Sequence, residues 1–362
     1  MEPVRPDYDG AWVGGVVPAL LSGQAVSWLP EPTAGAGGSV LLVVDGLGWH
    51  AIERHRDRLP TLAGMVGRPI TTVVPSTTAC GLTSISTGLT PAEHGLVGYR
   101  MRVGGQVLNV LRWQGAGGWA PDPVGVQPTP PFLGRKVPVV TRAEFRKTGF
   151  TTAHLRGATM PGWRTTATLV EHCRRLVDAG ERFVYAYYDG VDKVSHEYGL
   201  LDRFFLAELV AVDRLVADLL DALPDHRALV VTADHGQVHV GTDATVGLEA
   251  LDPLIATYSG EGRFRSLHAR TGAAGDLLAS ARATLGHLAW VFTREQLFDE
   301  GWLGPGAARD VRGRIGDVVL AARSATAFVD PTDPLEASLV GRHGSLTPDE
   351  MVVPLLAARG RR

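Results

Sequence analysis

Three runs of apolar, β-type residues each end at an acid. Val40–Val44 (VLLVV) stops at Asp45, Phe183–Tyr188 (FVYAYY) stops at Asp189, and Ala228–Thr232 (ALVVT) leads into Ala233-Asp234-His235-Gly236. Continuous runs of this kind fit central parallel strands covered on both faces. Doubly wound sheets carry their functional groups at the carboxyl ends of such strands. The pattern therefore predicts an α/β core with a mostly parallel sheet and with Asp45, the Asp189–Asp192 turn and Asp234-His235 along one edge.

A fourth stretch, Val73–Gly95 (VVPSTTACGLTSISTGLTPAEHG), belongs to the same edge. The β-branched run from Ile70 to Val74 reads as a strand, Pro75 breaks it, and a helical pattern runs from Thr78 to a C-cap at Gly88. A threonine hydroxyl thus stands where a strand exits and a helix begins. Helices prefer threonine as an N-cap, which is the ordinary explanation. As a nucleophile it needs a base or a metal. No Ser–His–Asp spacing is evident, whereas metal ligands are available. Asp192 and His196 share a helical face at i,i+4. Asp234 and His235 can share an ion from an irregular loop, which Gly236 permits. His343 lies between Gly341 and Gly344. Each group has a plain structural explanation as a cap, a surface pair or a surface histidine, but their common place at strand ends favours a centre of Zn²⁺ or Mn²⁺ type.

Bulk properties narrow the classes. A chain of 362 residues with 45% hydrophobic and 20% charged content fits one large globular domain with a second unit embedded in it. A net charge of −3 without a basic run argues against long nucleic acid as a partner. Only Cys80 and Cys173 are present, so no disulfide framework is expected. MEPVRPDYDG lacks a signal-peptide pattern and no apolar run has membrane-spanning length, which predicts a cytoplasmic protein with no membrane partner.

Further elements follow from pattern: a helix from Trp49 to about Met65 interrupted by Pro60, and a hairpin turning at Gly104-Gly105. Residues 139–154 read as a helix followed by a strand, and helices are expected over Thr165–Ala179 and Asp202–Leu223. The texture changes between Leu251 and Asp330, where a compact α+β insertion of ferredoxin-like order is expected. Residues 1–250 and 331–362 would then form the main body.

In their order and spacing, VVDGLGW (43–49), PSTTACGLTSISTGLTPAEHG (75–95), YYDGVDKVSHEYG (187–199), TADHG (232–236) and GRHGSLTPDEM (341–351) resemble the nucleotide pyrophosphatase/phosphodiesterase family of the alkaline phosphatase superfamily. The resemblance implies an alkaline-phosphatase-like sandwich with a small α+β cap. It implies two divalent metal ions, one held by Asp45, Thr78, Asp234 and His235 and the other by Asp192, His196 and His343. It also implies Thr78 as nucleophile, since counting back from Thr87-Gly88-Leu89 selects it over Thr77. Asp189 would support the site from behind, and His94 and His239 match no ligand position. Many members carry an asparagine three residues after the nucleophile that holds a phosphate oxygen, and here that position is Gly81. Tyr99, Trp113, Trp119 and Trp163 are candidates to stack a base.

The implied activity is hydrolysis of phosphodiester or pyrophosphate bonds in a nucleotide or dinucleotide, cyclic di-AMP being the specific candidate. The rivals are a phosphonate hydrolase or phosphomonoesterase of the same superfamily, and a nucleotide-binding sensor on the same scaffold. A sulfatase is disfavoured because Cys80 lacks a Cys-x-Pro-x-Arg context. The insertion is expected to shape substrate choice and to supply no metal ligand.

Overall fold

The structure is a computed structural model that describes residues 2–23, 26–307, 309–333 and 336–362. Its centre is a seven-stranded sheet in the order Val66–Thr71, Val352–Arg359, Ala228–Thr232, Ser39–Val44, Phe183–Tyr188, Val139–Arg142, Gly162–Trp163. Only Val352–Arg359 runs antiparallel to its neighbours in that sheet, and the remaining pairings are parallel. Ser39–Val44 is buried along its whole length, as its unbroken apolar run requires of a middle strand. The fold is thus the mixed α/β architecture expected from the sequence.

Among the covering helices, Arg203–Ala222 is N-capped by Asp202, whose carboxylate accepts from the Phe204 N–H at 3.1 Å. It buries Phe205, Leu209, Val212, Val216, Leu219 and Leu220 against the body, the stripe that helical spacing dictates. The hairpin pairs Arg100–Val103 with Gln106–Asn109, and Gly104 and Gly105 take φ of 56° and 86° at its turn, which glycine adopts without strain.

Three local readings change. The strand before the Thr78–Thr87 helix is Val66–Thr71 rather than 70–74, because Val352–Arg359 pairs with it only as far as Thr71. Over 139–154 the order is reversed. Val139–Arg142 is a strand whose β-branched start is buried, and Gly149–Leu155 is a helix capped by Thr148. The inserted unit is not ferredoxin-like. Its antiparallel sheet has the order Ile255–Glu261, Phe264–Ala269, Val318–Ala322, Ala289–Thr293. It therefore opens with two consecutive strands, and the first was not legible as one.

That sheet has two buried faces. Val318, Leu320 and Ala322 join Leu267, Leu277 and Leu285 in a small core of the unit's own. Val319, Ala321 and Phe264 point the other way and join the main core, as the two-residue period of a strand demands.

A buried ion pair fastens the unit to the body. Arg263 Nε and Nη2 lie 2.7 and 2.8 Å from the two oxygens of Glu350, and both side chains are fully buried. Arg263 also donates to the Ser324 and Thr326 carbonyls at 2.6 and 2.8 Å, while Glu350 accepts the Ser345 N–H at 2.9 Å. Removing one partner strands a buried charge. Arg263→Leu is accordingly expected to cost about 3–5 kcal/mol, read as a fall in the urea midpoint. A change below about 1 kcal/mol would mean that water reaches Glu350.

Candidate active site

All the candidate ligands stand at the carboxyl edge of the central sheet. Asp45 follows the Ser39–Val44 strand and is buried, as are Asp234 and His235 beyond Ala228–Thr232. Asp192 and His196 lie one turn apart on the Gly190–Tyr198 helix, His196 Nε2 being 3.3 Å from Asp192 Oδ1. His343 arrives from the segment after the insertion, its Nε2 3.7 Å from Asp192 Oδ1.

Two ligand groups result: Asp45, Asp234 and His235, and Asp192, His196 and His343, each with donor atoms within 4.8 Å of one another. Among the described residues, neither group takes a member from the insertion. The His235 and His343 rings stack with centroids 3.6 Å apart, which joins the groups into one centre. Thr78 is the first residue of the Thr78–Thr87 helix, and its Oγ1 lies 3.0 Å from His235 Nε2.

The donor chemistry fits divalent cations. Each histidine turns its Nδ1 to a backbone carbonyl: His235 to Gly236 at 3.0 Å, His196 to Gly341 at 2.7 Å, and His343 to Ser76 at 2.9 Å. The carbonyl fixes the proton on Nδ1 and leaves the Nε2 lone pair facing the site. Asp45 Oδ1 and Asp234 Oδ2 are buried without a hydrogen-bond partner, a costly state unless a cation satisfies them. Tyr187 donates to the other oxygen of Asp45, the Gly46 N–H to Asp234 Oδ1 at 3.3 Å, and Gln237 Nε2 to Asp192 Oδ1 at 2.5 Å.

Without cations the carboxylates crowd one another. Burial and the Asp192 charge raise the Asp45 carboxyl, and burial with Asp45 nearby raises Asp234 well above its ordinary range. Burial works against a charge on His235, but Asp234 and Asp45 outweigh it and push the imidazole up to about 10. Burial also opposes the charge on Asp192, yet the His196 charge and hydrogen bond hold that carboxyl below its usual range. Burial and the nearby His235 charge lower His343.

Two cavities meet at Thr78. One, of about 240 Å³, is walled by Leu82, Phe145, Phe150, Leu155 and Tyr187, with Asp45, Asp189 and Lys193 at its polar edge. The other, of about 290 Å³, is lined by Thr77, Tyr99, Arg112, His343 and residues of the insertion and the segment after it, including Glu261, Asp333, Glu336 and Arg342. Leu111 borders both.

Tyr99 lines the second cavity, its hydroxyl accepting from Asn109 Nδ2 at 2.7 Å. Four expectations are corrected. Gly81 lines neither cavity; a Cβ there would stand 2.7 Å from the Asp234 carbonyl oxygen, so the glycine admits the strand end that carries Asp234. Trp113 is buried, donates to the Pro121 carbonyl at 2.8 Å and packs against Gly149. Trp163 is also buried, donates to the Tyr187 carbonyl at 3.0 Å and lies under Arg142. Both are anchors of the fold, and Trp119 likewise packs on the core and lines neither cavity.

Gly236 also acts differently from expectation. Its φ is not positive, and what it provides is room for the Asp349 backbone and Gly48. Asp189 is gripped by Arg142 Nε, 2.7 Å from each oxygen, and by Lys193 Nζ at 2.6 Å from Oδ2. His94 accepts the Leu96 N–H at 3.1 Å and pairs with Ser84, and His239 accepts the Leu200 N–H at 3.2 Å. The cavity residues Phe145, Phe150, Arg112 and Glu261 carry no motif and were missed. The only sequence cue was that the segments bearing them lie between ligand motifs.

The same architecture recurs in solved structures. The chain superposes on murine ectonucleotide pyrophosphatase/phosphodiesterase 5 with a TM-score of 0.69 at 14% identity, covering 90% of this chain and 88% of that one. An inactive T72A form of the murine protein in complex with AMP gives a TM-score of 0.68 at 14% identity, covering 88% and 87%. Phosphonoacetate hydrolase from Sinorhizobium meliloti 1021, in complex with phosphonoformate, gives 0.66 at 19% identity, covering 90% of each chain. No curated protein matches the sequence. At these identities the likeness speaks to fold. The sequence itself matches the type I phosphodiesterase/nucleotide pyrophosphatase family over residues 39–346, and the chain belongs to that family of metal-dependent phosphoester hydrolases in the alkaline phosphatase superfamily. Among the described residues no helix is long and apolar enough to cross a membrane.

Proposed function

We propose that this chain hydrolyses phosphodiester or pyrophosphate bonds of nucleotides, with Thr78 as nucleophile and two divalent cations, Zn²⁺ or Mn²⁺. Asp45, Thr78, Asp234 and His235 would hold one cation, and Asp192, His196 and His343 the other. The observation that carries the reading is the place of Thr78: its hydroxyl lies against His235, beside both ligand groups and at the meeting of two cavities. Two cavities suit a phosphate that bears two ester groups. When bound, the cations would lower the pKa of the hydroxyl and neutralise charge on the phosphoryl oxygens.

Thr78 Oγ1 gives up its proton to solvent and attacks phosphorus; the P–O bond opposite breaks, and the ester oxygen leaves with its electron pair and takes a proton from solvent. Water then attacks the phospho-threonine and breaks its P–Oγ1 bond, which restores the Thr78 hydroxyl and releases the phosphate product. No side chain at position 81 steadies the phosphoryl group. The N–H groups that open the helix, at Thr78 and Ala79, are the available donors, because those of Cys80 and Gly81 bond the Thr77 carbonyl at 3.0 and 2.8 Å. The aromatic cavity suits an aryl ester group, which leaves the second cavity for the nucleoside. A screen of nucleotides and cyclic dinucleotides, cyclic di-AMP among them, with added Mn²⁺ or Zn²⁺ identifies the substrate.

A monoester or phosphonate reading draws on Arg112, a cation that the fold brings to the second cavity although none is near Thr78 in sequence. It is opposed by Asp333 and Glu336 on the same walls, which disfavour an additional negative charge. Bis-p-nitrophenyl phosphate is therefore expected to be cleaved with a kcat/KM at least about a hundredfold above that of p-nitrophenyl phosphate, roughly 2.7 kcal/mol in transition-state binding. Equal values, or a reversed preference, would put the monoesterase first.

A further inference from the structure

Glu261 closes the Ile255–Glu261 strand of the inserted unit and brings that unit to the catalytic edge. It lines the second cavity together with Thr77, Thr78 and His343. The residue is 6% exposed, its Oε1 is buried with no hydrogen-bond partner, and the Thr77 side chain faces its carboxyl across the cavity wall and favours its charged form. Gly344 is drawn tight against it: a Cβ on that residue would stand 2.7 Å from Glu261 Cγ and 3.0 Å from Oε1. The chain thus seats a buried, incompletely bonded carboxyl beside the nucleophile, in a role that the hydrolysis steps leave unfilled. Such an oxygen is costly to bury unless a ligand completes it.

We infer that Glu261 is a specificity-determining residue that recognises a hydroxyl, of the kind a ribose carries, on the group seated in the second cavity. The inference rests on the phosphodiesterase reading above and assigns its cap-side recognition. A hydroxyl is the partner that suits the carboxyl in either protonation state, since it donates to a carboxylate and accepts from an acid. Burial, with Glu336 nearby, raises this carboxyl to about 8 against the opposing effects of Thr77 and the charges of His235 and Arg265, so both states are within reach near neutral pH. A further phosphate is a poor occupant because Asp333 and Glu336 share the walls, and Arg342 already donates through Nε to the Leu339 carbonyl at 3.0 Å. An amine would face Arg112 across the same space.

The test is calorimetric binding of adenosine 5′-monophosphate and its 2′,3′-dideoxy analogue to the metal-loaded protein, with no turnover required. The wild type is expected to bind the ribose form at least about tenfold more tightly, the worth of one strong hydrogen bond. Glu261→Ala should remove that ratio, and Glu261→Gln, which keeps the shape and one acceptor, should retain part of it. Thermal unfolding of both variants establishes that they are folded. A wild-type ratio near one, no binding of either ligand, or an equal loss for both ligands in Glu261→Ala overturns the inference. Cleavage of bis-p-nitrophenyl phosphate is measured in parallel: its absence sinks the phosphodiester reading, whereas the binding ratio judges Glu261 separately.

Discussion

Thr78→Ala is expected to lower kcat on the order of 10⁴-fold or more, as loss of a covalent nucleophile does, while the protein stays folded. The competing explanation of this threonine as a helix cap does not fit its position. The N-cap is Thr77, which makes no side-chain cap hydrogen bond, and Thr78 is the first helical residue with its hydroxyl against His235. The substitution should therefore cost less than the roughly 1 kcal/mol that loss of a cap brings. Thr77→Ala should leave kcat within about tenfold, because its side chain engages Glu261 rather than the ligand groups. Single-turnover kinetics and a denaturant midpoint on each variant separate the two effects. If Thr77→Ala proves the crippling change, the nucleophile is one residue earlier and the proposed chemistry must be rebuilt around it.

The parts of the site that were legible in sequence are those where a backbone rule and a chemical requirement coincide. An apolar strand ending in an acid marks the carboxyl edge of the sheet, so Asp45, Asp192 and Asp234 could be placed along that edge before any contact was known. The i,i+4 spacing of Asp192 and His196 is geometric in the same way, and the structure sets the two 3.3 Å apart. Substrate contacts obey no such rule. Phe145 and Phe150 reach the aromatic cavity from a short 3₁₀ turn and a short helix, whereas Trp113 and Trp163, which stood out by type, are spent on packing. A large aromatic residue buries equally well in either role, and only tertiary neighbours decide between them. Gly81 misled for a related reason. Its lack of a side chain reads as a missing phosphate contact, but the cause is the Asp234 backbone lying where a Cβ would be. The reversal over 139–154 is of another kind. The strand there is four residues long and half of the following helix is a single capped turn, too short for periodicity to order them.

Removal of metal is expected to abolish turnover reversibly, with about two ions per chain bound on restoration. Asp45 Oδ1 and Asp234 Oδ2 are buried without a hydrogen-bond partner and face His235 Nε2 at 3.3 and 3.5 Å, and every histidine of the two groups presents Nε2 to the site. In the metal-free protein a proton partly stands in for a cation, because Asp234 and Asp45 push His235 up to about 10 against the effect of burial. A histidine must give up that proton to ligate. Metal affinity should therefore rise by about tenfold per pH unit from near neutrality until it levels off near pH 10. The sign for stability is opposite. With its pKa raised above the unfolded value of about 6.5, His235 stabilises the metal-free fold fully below that pH and loses the contribution as pH climbs toward about 10. The thermal shift produced by added Zn²⁺ should consequently grow with pH across this window. Activity should fall as pH is lowered, because protons compete with the cations for His196 and His235, whose imidazoles are both raised above the ordinary value. The checks are metal content by mass spectrometry, turnover before and after chelation, and proton release measured by calorimetry in buffers of different ionisation enthalpy. Full turnover in protein stripped of metal would sink the two-metal proposal. Uptake without proton release would show that His235 is not a ligand.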